Sequence, residues 1–252
     1  MGVGVVPDEV TRRSASLTPG VVGVVCALAS EARHLRPTQG TRIALSGMGG
    51  AAATQSARSL AEGGVAALVS WGMAGGLDPA FEPGTIFLPS EVVGTCGSPV
   101  LPTDQAWREH LGYQLRLSQS HGHRPVQPVL GGRLVTVATA VGTEAEKALL
   151  FKETRAAAVD MESLAIAEVA QIRGLPFIAV RVIVDGAADS LPRAVTAAAD
   201  REGHLQIGRL LGALARTPGE LPALIRLGQR YRAANRSLAA VARVGLSGGR
   251  VG

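Results

Sequence analysis

The stretch V-A-A-L-V-S-W-G-M-A-G-G-L, residues 65–77, joins a short apolar run to a glycine-rich segment. The apolar run is far too short to cross a bilayer, and it is typical of a strand buried in a parallel sheet. Glycines directly after such a strand allow the main chain to turn sharply or to approach a ligand closely. We therefore predict a buried strand at residues 65–70 that ends either in a structural turn or in a ligand-binding segment.

Strands and helices alternate on both sides of this stretch. The alternation predicts an α/β fold, a single three-layer αβα domain around a central, mostly parallel (mixed) sheet. Residues 99–127 are polar and less regular, and we expect them to form a loop over the site. The predicted strands lie at residues 20–28, 41–46, 65–70, 85–93, 133–139 and 176–184, and the predicted helices at about 30 and at 51–63, 145–152 and 163–173.

The positive charge of the chain is concentrated in its last part. From residue 201 onward there are nine arginines and two glutamates, which give +7, so that the first 200 residues carry −2 of the total of +5. Few aromatic residues accompany these arginines, and we expect no nucleic-acid partner. We predict three parts: a flexible leader at residues 1–20, a domain at 21–215, and a basic amphipathic helix and tail at 216–252.

Composition favours a compact globular protein, because 46% of the residues are hydrophobic and only 18% are charged. Cys26 and Cys96 lie far apart and make no disulfide framework, which suits a reducing compartment. Residues 1–20 contain no apolar core of a secretory signal, so we expect a cytoplasmic protein. The five histidines show no ligand spacing, and we expect no metal site.

Chemically useful residues follow several predicted strands. In open parallel sheets, ligands bind beyond the carboxyl ends of the strands. Here those ends carry Glu31, G-M-G-G at 47–50, G-M-A-G-G at 72–76 and Asp185. The segment G-M-G-G-A-A formally matches a dinucleotide fingerprint, but no carboxylate ends the next strand to hold a ribose. A turn that lets the backbone approach a small ligand is therefore favoured.

Three carboxylates each allow two interpretations. Asp160 and Glu162, in V-D-M-E-S at 159–163, either stabilise the first turn of a helix or form a clamp for a polar ligand. Asp185 either caps a turn or, at the dry end of a strand, has a raised pKa that suits a proton donor near neutral pH. The residues alone leave these alternatives open.

Five motifs in order resemble the nucleoside phosphorylase and nucleosidase superfamily, in particular methylthioadenosine/adenosylhomocysteine nucleosidases. The resemblance covers roughly residues 20–190 and implies a nucleoside phosphorylase-like domain that cleaves the bond between a purine and its ribose. Because five ordered motifs match, it is more specific than any one of them. The motifs are G-V-V-C-A-L-A-S-E-A, S-G-M-G-G, S-W-G-M-A-G-G-L, V-D-M-E-S-L-A-I-A and R-V-I-V-D-G-A-A-D.

A narrower resemblance is to the hopanoid-associated phosphorylases. It rests on S-W-G-M-A-G-G-L-D-P-A, on G-L-P-F-I-A-V-R-V-I-V-D, and above all on the tail segment P-G-E-L-P-A-L-I-R-L. It implies release of adenine from adenosylhopane, which leaves ribosyl- or phosphoribosylhopane for hopanoid biosynthesis. A nucleosidase for methylthioadenosine, adenosylhomocysteine or futalosine, and a non-catalytic nucleoside-binding protein, are the alternatives.

The resemblance also implies roles for individual residues. Asp185 matches the general acid that protonates the purine at N7. Glu162 matches the carboxylate that grips the ribose hydroxyls, and Met161 the residue that packs on the sugar. Glu31 matches the acid that orients the nucleophile, with Arg181 near it. The remaining substrate-binding candidates are Met48, Gly49, Met73, Ala74 and Gly75 around the ribose and base, and Ala140 and Val141 beside the purine.

Two departures from the nucleosidase pattern bear on the nucleophile. Met73 and Val184 stand where the resemblance implies serines, one to help hold water and one to orient the acid. Their loss weakens the expectation of plain hydrolysis, and inorganic phosphate is the possible co-substrate. Glu31 would repel a phosphate dianion unless Arg181 or loop amides compensate. We expect no other cofactor, and water or phosphate stays open at this point.

The C-terminal segment allows two placements. As a helix, residues 220–243 carry Leu221, Leu224, Ile225, Gly228, Tyr231 and Leu238 on one face, with arginines opposite and on the flanks. Such a helix can lie on an anionic bilayer, which suits a substrate with a lipid tail, or can pack on its own domain or on a second subunit. We therefore expect a lipid-nucleoside or small nucleoside substrate, peripheral membrane contact, and a homo-oligomer.

Overall fold

The computed structural model describes residues 20–95, 97–118, 127–190, 219 and 221–246. The predicted leader, except for its last residue, and the stretch that precedes the C-terminal helix lie outside the described residues. The described helices are α1 (Ala29–Ala32), α2 (Gly50–Glu62), α3 (Gln105–Ser118), α4 (Glu144–Thr154), α5 (Ser163–Arg173) and α6 (Leu221–Val244).

One mixed sheet organises the described residues. Its strands are β1 (Val22–Cys26), β2 (Thr41–Leu45), β3 (Ala67–Gly76), β4 (Ile86–Leu88), β5 (Glu91–Val93), β6 (Val100–Pro102), β7 (Val129–Leu130), β8 (Arg133–Thr136), β9 (Ala158–Asp160) and β10 (Phe177–Asp185). They run in the order β6-β5-β8-β9-β3-β10-β4-β7, and β1 pairs with both β2 and β3. Most neighbouring pairs are parallel, whereas β3–β9, β4–β10 and β5–β6 are antiparallel.

Helices cover both faces of this sheet, which confirms the predicted three-layer α/β fold. Side chains of a strand alternate between the two faces, so β10 buries Phe177 and Ala179 on one side and Ile178 and Val180 on the other. Helices α2 and α5 pack on the first face, and α3 and α6 pack on the second. Both faces of the central strands are apolar for this reason.

Two local predictions are wrong, and one of two open alternatives is excluded. Residues 85–93 are not one strand, because Pro89 and Ser90 separate β4 from β5, which pair with different neighbours. The glycine-rich end of β3 is not a turn, since the strand continues to Gly76. The described residues of the stretch 99–127 are not an irregular loop, since they contain β6 and α3. Trp107, Leu111 and Leu115 are spaced four residues apart, which buries one face of α3 in the core.

The C-terminal helix α6 docks on its own domain. Ala234, Leu238 and Val241 are fully buried in the apolar cluster on the α3 side of the sheet. The buried face is thus offset from the predicted one, of which Ile225 is exposed and Leu238 is buried. Among the described helices, none has the length and apolarity needed to cross a membrane.

An interruption along one edge of β3 positions the site. The first half of β3 pairs with β1 up to Trp71, which lies opposite Cys26. The end of β3 pairs on this edge with β9, through Gly75 and Gly76. Residues 72–74 therefore have no strand beside them on this edge, and their backbone groups are free for side chains and ligand.

Candidate active site

A cavity of about 210 Å³ opens at this interruption, at the carboxyl ends of β1, β3 and β10. Its wall is mostly apolar, with four carboxylates set into it. The residues that line it are Ala27, Leu28, Glu31, Met48, Met73, Ala74, Gly75, Val137, Ala140, Val141, Val159, Asp160, Met161, Glu162, Val184 and Asp185.

Glu31 is fixed against the open edge of β3. Its carboxylate accepts hydrogen bonds from the backbone N–H of Met73 (2.9 Å) and from that of Leu28 (3.0 Å). Gly72 makes this approach possible, because a Cβ on that residue would lie 2.7 Å from Oε1 of Glu31. Burial raises the pKa of Glu31, although these backbone N–H groups and Arg181 oppose the rise.

Glu162 lies across the cavity, directly before α5. Its Oε1 accepts a hydrogen bond from the backbone N–H of Gly49 at 2.9 Å. Gly49 has a φ of 92°, a conformation that strongly favours glycine, and this aims its N–H group at the carboxylate. Burial and the neighbouring Asp160 raise the pKa of Glu162 to about 7, against the opposing charge of Arg181. The G-M-G-G turn therefore binds a side chain of the site.

Asp160 and Arg181 form a buried ion pair behind Glu162. The guanidinium of Arg181 donates to Oδ2 of Asp160 from Nε (2.8 Å) and Nη2 (2.6 Å), and Nη2 also donates to Ser70 and Ser163. Oδ1 of Asp160 accepts from the hydroxyl of Thr136 at 2.6 Å. Asp160 also accepts from the backbone N–H of Ser163 at the start of α5, so it both caps this helix and balances an arginine.

Asp185, the last residue of β10, lines the cavity on the other side of Gly75. Gly75 pairs with Asp185 on one edge of β3 and with Val159 on the other. Burial raises the pKa of Asp185, and the ammonium of Lys147, which donates to its Oδ2, partly reverses this rise. A buried carboxyl with a raised pKa beside a cavity is able to exchange a proton with a ligand.

The structure brings most of the predicted site residues to one cavity. Glu31, Glu162 and Asp185 line it, together with Met48, Met73, Ala74, Gly75, Ala140, Val141 and Met161. Gly49 contacts the cavity only through its hydrogen bond to Glu162. Arg181 does not line the cavity, since it is 2% exposed and its guanidinium is bonded to Asp160, Ser70 and Ser163. The roles assigned to these residues stay predictions.

Sequence reasoning missed two charged residues. Lys147 was given no role, and Asp160 was considered only as a possible helix cap or part of a clamp. The position of Lys147 three residues before the buried Leu150 was a weak signal that both face the core. In the described part of the chain, no cluster of three or more histidine, cysteine, aspartate or glutamate residues could hold a metal ion.

Comparison with known families agrees with this geometry. The sequence model of the phosphorylase superfamily matches residues 37–216. The chain belongs to the phosphorylase superfamily. This membership confirms that the chain is an enzyme of the nucleoside phosphorylase and nucleosidase class. No curated protein matches this superfamily member.

Solved structures share the fold of this phosphorylase-superfamily chain. The 5'-methylthioadenosine/S-adenosylhomocysteine nucleosidase of Neisseria meningitidis superposes with a TM-score of 0.63 at 18% identity, over 89% of this chain and 98% of that one. The corresponding Helicobacter pylori nucleosidase gives 0.60 at 16% identity, over 90% and 96%. The futalosine hydrolase of Helicobacter pylori gives 0.59 at 18% identity, over 89% and 98%. Identities this low show the fold alone.

Proposed function

We propose that this enzyme removes adenine from adenosylhopane by cleaving the N-glycosidic bond between C1' of the ribose and N9 of the base. The observation that carries the proposal is that two carboxyls, Asp185 at the end of β10 and Glu162 directly before α5, line one cavity. The base would lie against Asp185 and the ribose against Glu162 and Met161. The narrower resemblance of the tail segment favours adenosylhopane as the substrate.

The proposed step is acid-assisted. As the C1'–N9 bond breaks, its electron pair goes to the base, and Asp185 gives its proton to N7, so that no anionic base is expelled. Such general acid catalysis contributes about 10²–10⁴-fold. The ribose becomes similar to an oxocarbenium ion in the transition state, and the carboxylate of Glu162 stabilises its positive charge while it binds the hydroxyls.

For the nucleophile, we propose water. Glu31 has a raised pKa and faces the cavity, so it is suited to accept the proton of a water molecule whose oxygen adds to C1'. Four carboxylates line the cavity, and both cations nearest to it in the described residues, Arg181 and Lys147, are already paired with carboxylates. This electrostatic environment disfavours a phosphate dianion, so phosphate as co-substrate is the alternative.

The size and wall of the cavity fit a nucleoside whose 5' substituent extends outward. A volume of about 210 Å³ is below the 300–1,000 Å³ that is usual for drug-sized ligands, so a polycyclic tail would have to lie outside. Met73 and Val184 make the wall more apolar than the nucleosidase pattern implies. The folds of the nucleosidases and of futalosine hydrolase favour methylthioadenosine, adenosylhomocysteine or futalosine as the alternative substrates.

Product analysis tests the proposal. Adenosylhopane, methylthioadenosine, adenosylhomocysteine and futalosine would each be incubated with the enzyme, with and without phosphate, and the free base and the sugar product quantified. We expect the highest kcat/KM for adenosylhopane and an unphosphorylated sugar product at every phosphate concentration. A phosphorylated product would overturn the choice of water, and a clear preference for another nucleoside would overturn the substrate.

The exposed face of α6 suggests how a lipid substrate is approached. Arg232, Arg236 and Arg243 lie on this face and are exposed, while the opposite face of the helix is buried in the domain. We propose that these arginines contact anionic lipid headgroups with the helix still docked. Replacing all three by glutamine should abolish co-sedimentation with phosphatidylglycerol vesicles, and unchanged binding would contradict the proposal.

The superfamily resemblance implies a homo-oligomer. The molar mass from light scattering would test this prediction.

The boundary predicted near residue 215 would be tested by limited proteolysis, in which cleavage should begin near residue 216. A core of the full chain length that resists cleavage there would contradict this boundary.

A further inference from the structure

Lys147 has no part in the reaction described above, yet its side chain is fully buried on α4. Its ammonium donates to Oδ2 of Asp185 and to the backbone carbonyls of Gly186 (2.7 Å) and Asp189 (2.9 Å). An ammonium has three donors, so this one is fully occupied. The three acceptors belong to the last residue of β10 and to the turn that follows it. A buried charge is unfavourable unless it is paired and hydrogen-bonded, and here the pairing partner is the proposed acid itself.

A second cation holds the same turn from outside. Within the turn, Oδ2 of Asp189 accepts a hydrogen bond from the backbone N–H of Gly186 at 2.9 Å. Its Oδ1 pairs with Nη2 of Arg230, on helix α6, at 2.5 Å. The side chains of Arg230 and Asp189 are 26% and 20% exposed, so this pair is partly shielded from water. The C-terminal helix thus reaches the turn of the proposed acid.

The two cations leave the carboxyl of Asp185 asymmetric. Lys147 takes Oδ2, whereas no donor in the described part of the chain reaches Oδ1, and the side chain lines the cavity. We propose that Lys147 and Arg230 are positioning residues that hold the turn 185–189 from two sides and present one carboxyl oxygen of Asp185 to the base. The inference rests on the proposed role of Asp185 and adds two residues, from α4 and from α6, on which that role depends.

The charges around Asp185 support this arrangement and predict the direction in which the pKa of Asp185 changes when Lys147 is removed. Burial raises the pKa of Asp185, Lys147 lowers it, Asp189 raises it and Arg230 lowers it. Once the proton has moved to the base, the carboxylate left behind is stabilised by Lys147. Without Lys147 the pKa of Asp185 would rise further, so the group would keep its proton to higher pH but release it less readily.

The chain offers a matched control for Lys147, because Lys152 lies on the same helix and is exposed. Lys147→Met should lower kcat about 10²-fold, since a misplaced acid loses most of its benefit, with KM changed much less. The basic limb of its pH–kcat/KM profile should move to higher pH, and Lys147→Arg should restore part of kcat. Lys152→Met should behave as wild type. Equal kcat and pH profiles in Lys147→Met and Lys152→Met would overturn the proposal.

Arg230 provides a second test that does not place a cavity in the core. Arg230→Gln should lower kcat about 3- to 10-fold and shift the basic limb in the same direction by a smaller amount, because the charge acts through Asp189. Arg230→Lys should restore part of the activity. Arg226→Gln, one turn earlier on the same side of α6 but exposed, is the control and should leave kcat unchanged. A fall in kcat of the same size in Arg226→Gln would overturn the role of Arg230.

A binding measurement separates failure of this inference from failure of the proposed function. Adenine affinity would be measured by calorimetry from pH 5 to pH 9 in the wild type, Lys147→Met and Lys152→Met. We expect the pH dependence to shift only in Lys147→Met, even if no nucleoside tested is a substrate. An unshifted profile in a folded Lys147→Met would refute the positioning role, whereas a shifted profile without turnover would refute only the proposed reaction.

Discussion

Two buried ion pairs flank the cavity, and they differ in how completely their carboxylates are bonded. In Arg181–Asp160, one oxygen of Asp160 accepts from the guanidinium and the other from Thr136. In Lys147–Asp185, the ammonium takes one oxygen of Asp185 and leaves the other toward the cavity. The side-chain exposures reflect this difference, at 1% for Asp160 and 8% for Asp185.

This difference distinguishes a carboxylate with a structural role from a carboxyl that can take part in the reaction. Asp160, which is paired with Arg181 and accepts hydrogen bonds through both oxygens, forms part of the wall. A carboxyl with one unbonded oxygen, in a dry environment that raises its pKa, can exchange a proton with a ligand. Glu162 lies between these extremes, because it accepts one backbone hydrogen bond and has a pKa raised to about 7.

The largest expected effect comes from removing the exchangeable proton. Asp185→Asn should lower kcat about 10²–10⁴-fold, because the departing base would leave unprotonated. The fold should persist, since asparagine still offers an oxygen to Lys147. Adenine release would be followed spectroscopically, with circular dichroism as the folding control. A folded Asp185→Asn variant with near-normal kcat would contradict the assigned role.

Breaking the fully bonded pair should instead affect stability. Arg181→Met leaves Asp160 as a buried carboxylate without its cation, which typically costs about 3–5 kcal/mol. Urea unfolding would measure this loss. The double variant Arg181→Met/Asp160→Asn should lose less than the sum of the two single variants, because it leaves no uncompensated charge. An additive result would show that the pair is not coupled.

The fold could be predicted from the sequence because its signals are local. The alternation of apolar strands and helices predicts the three layers. The positions after the predicted strands identify Glu31 and Asp185, which line the cavity. Local patterns failed where pairing across the sheet decides the outcome. The three-residue strand β9 is too short to show periodicity, and it forms only through its pairing with β3 and β8.

The charged partners could not be predicted for a related reason. Lys147 follows two glutamates in E-A-E-K, a pattern typical of an exposed helix, and its partner Asp185 is 38 residues away in sequence. Arg230 and Asp189 come from separate elements as well. Such pairs depend on tertiary contacts that a single sequence does not reveal. Only the resemblance pointed to Arg181. It implied that Arg181 lies near Glu31, but it did not identify Asp160 as its hydrogen-bond partner.

Glu162, the carboxyl between these two extremes, should make the free energy of unfolding depend on pH. Its pKa rises from 4.5 to about 7 on folding, so the native state binds more protons between these values. The free energy of unfolding should therefore fall as pH rises through this window, by on the order of 2–3 kcal/mol from this group. Glu162→Gln lacks the group, so its stability relative to the wild type should increase from pH 4.5 to pH 7. Urea unfolding at several pH values would test this, and a difference that is constant with pH would contradict it.

The smallest expected effect comes from one hydrogen bond, between the hydroxyl of Thr136 and the carboxylate of Asp160, that completes the Arg181–Asp160 pair. Thr136→Val keeps the shape of the side chain but removes the hydroxyl that donates to Asp160 and accepts from the backbone N–H of Leu164. We expect a loss of about 1–3 kcal/mol, because a hydrogen bond to a charged group contributes more than a neutral one. Thr136→Ser retains the hydroxyl and should lose less. Urea unfolding would measure both losses, and an equal loss of stability in Thr136→Val and Thr136→Ser would contradict the role of the hydroxyl.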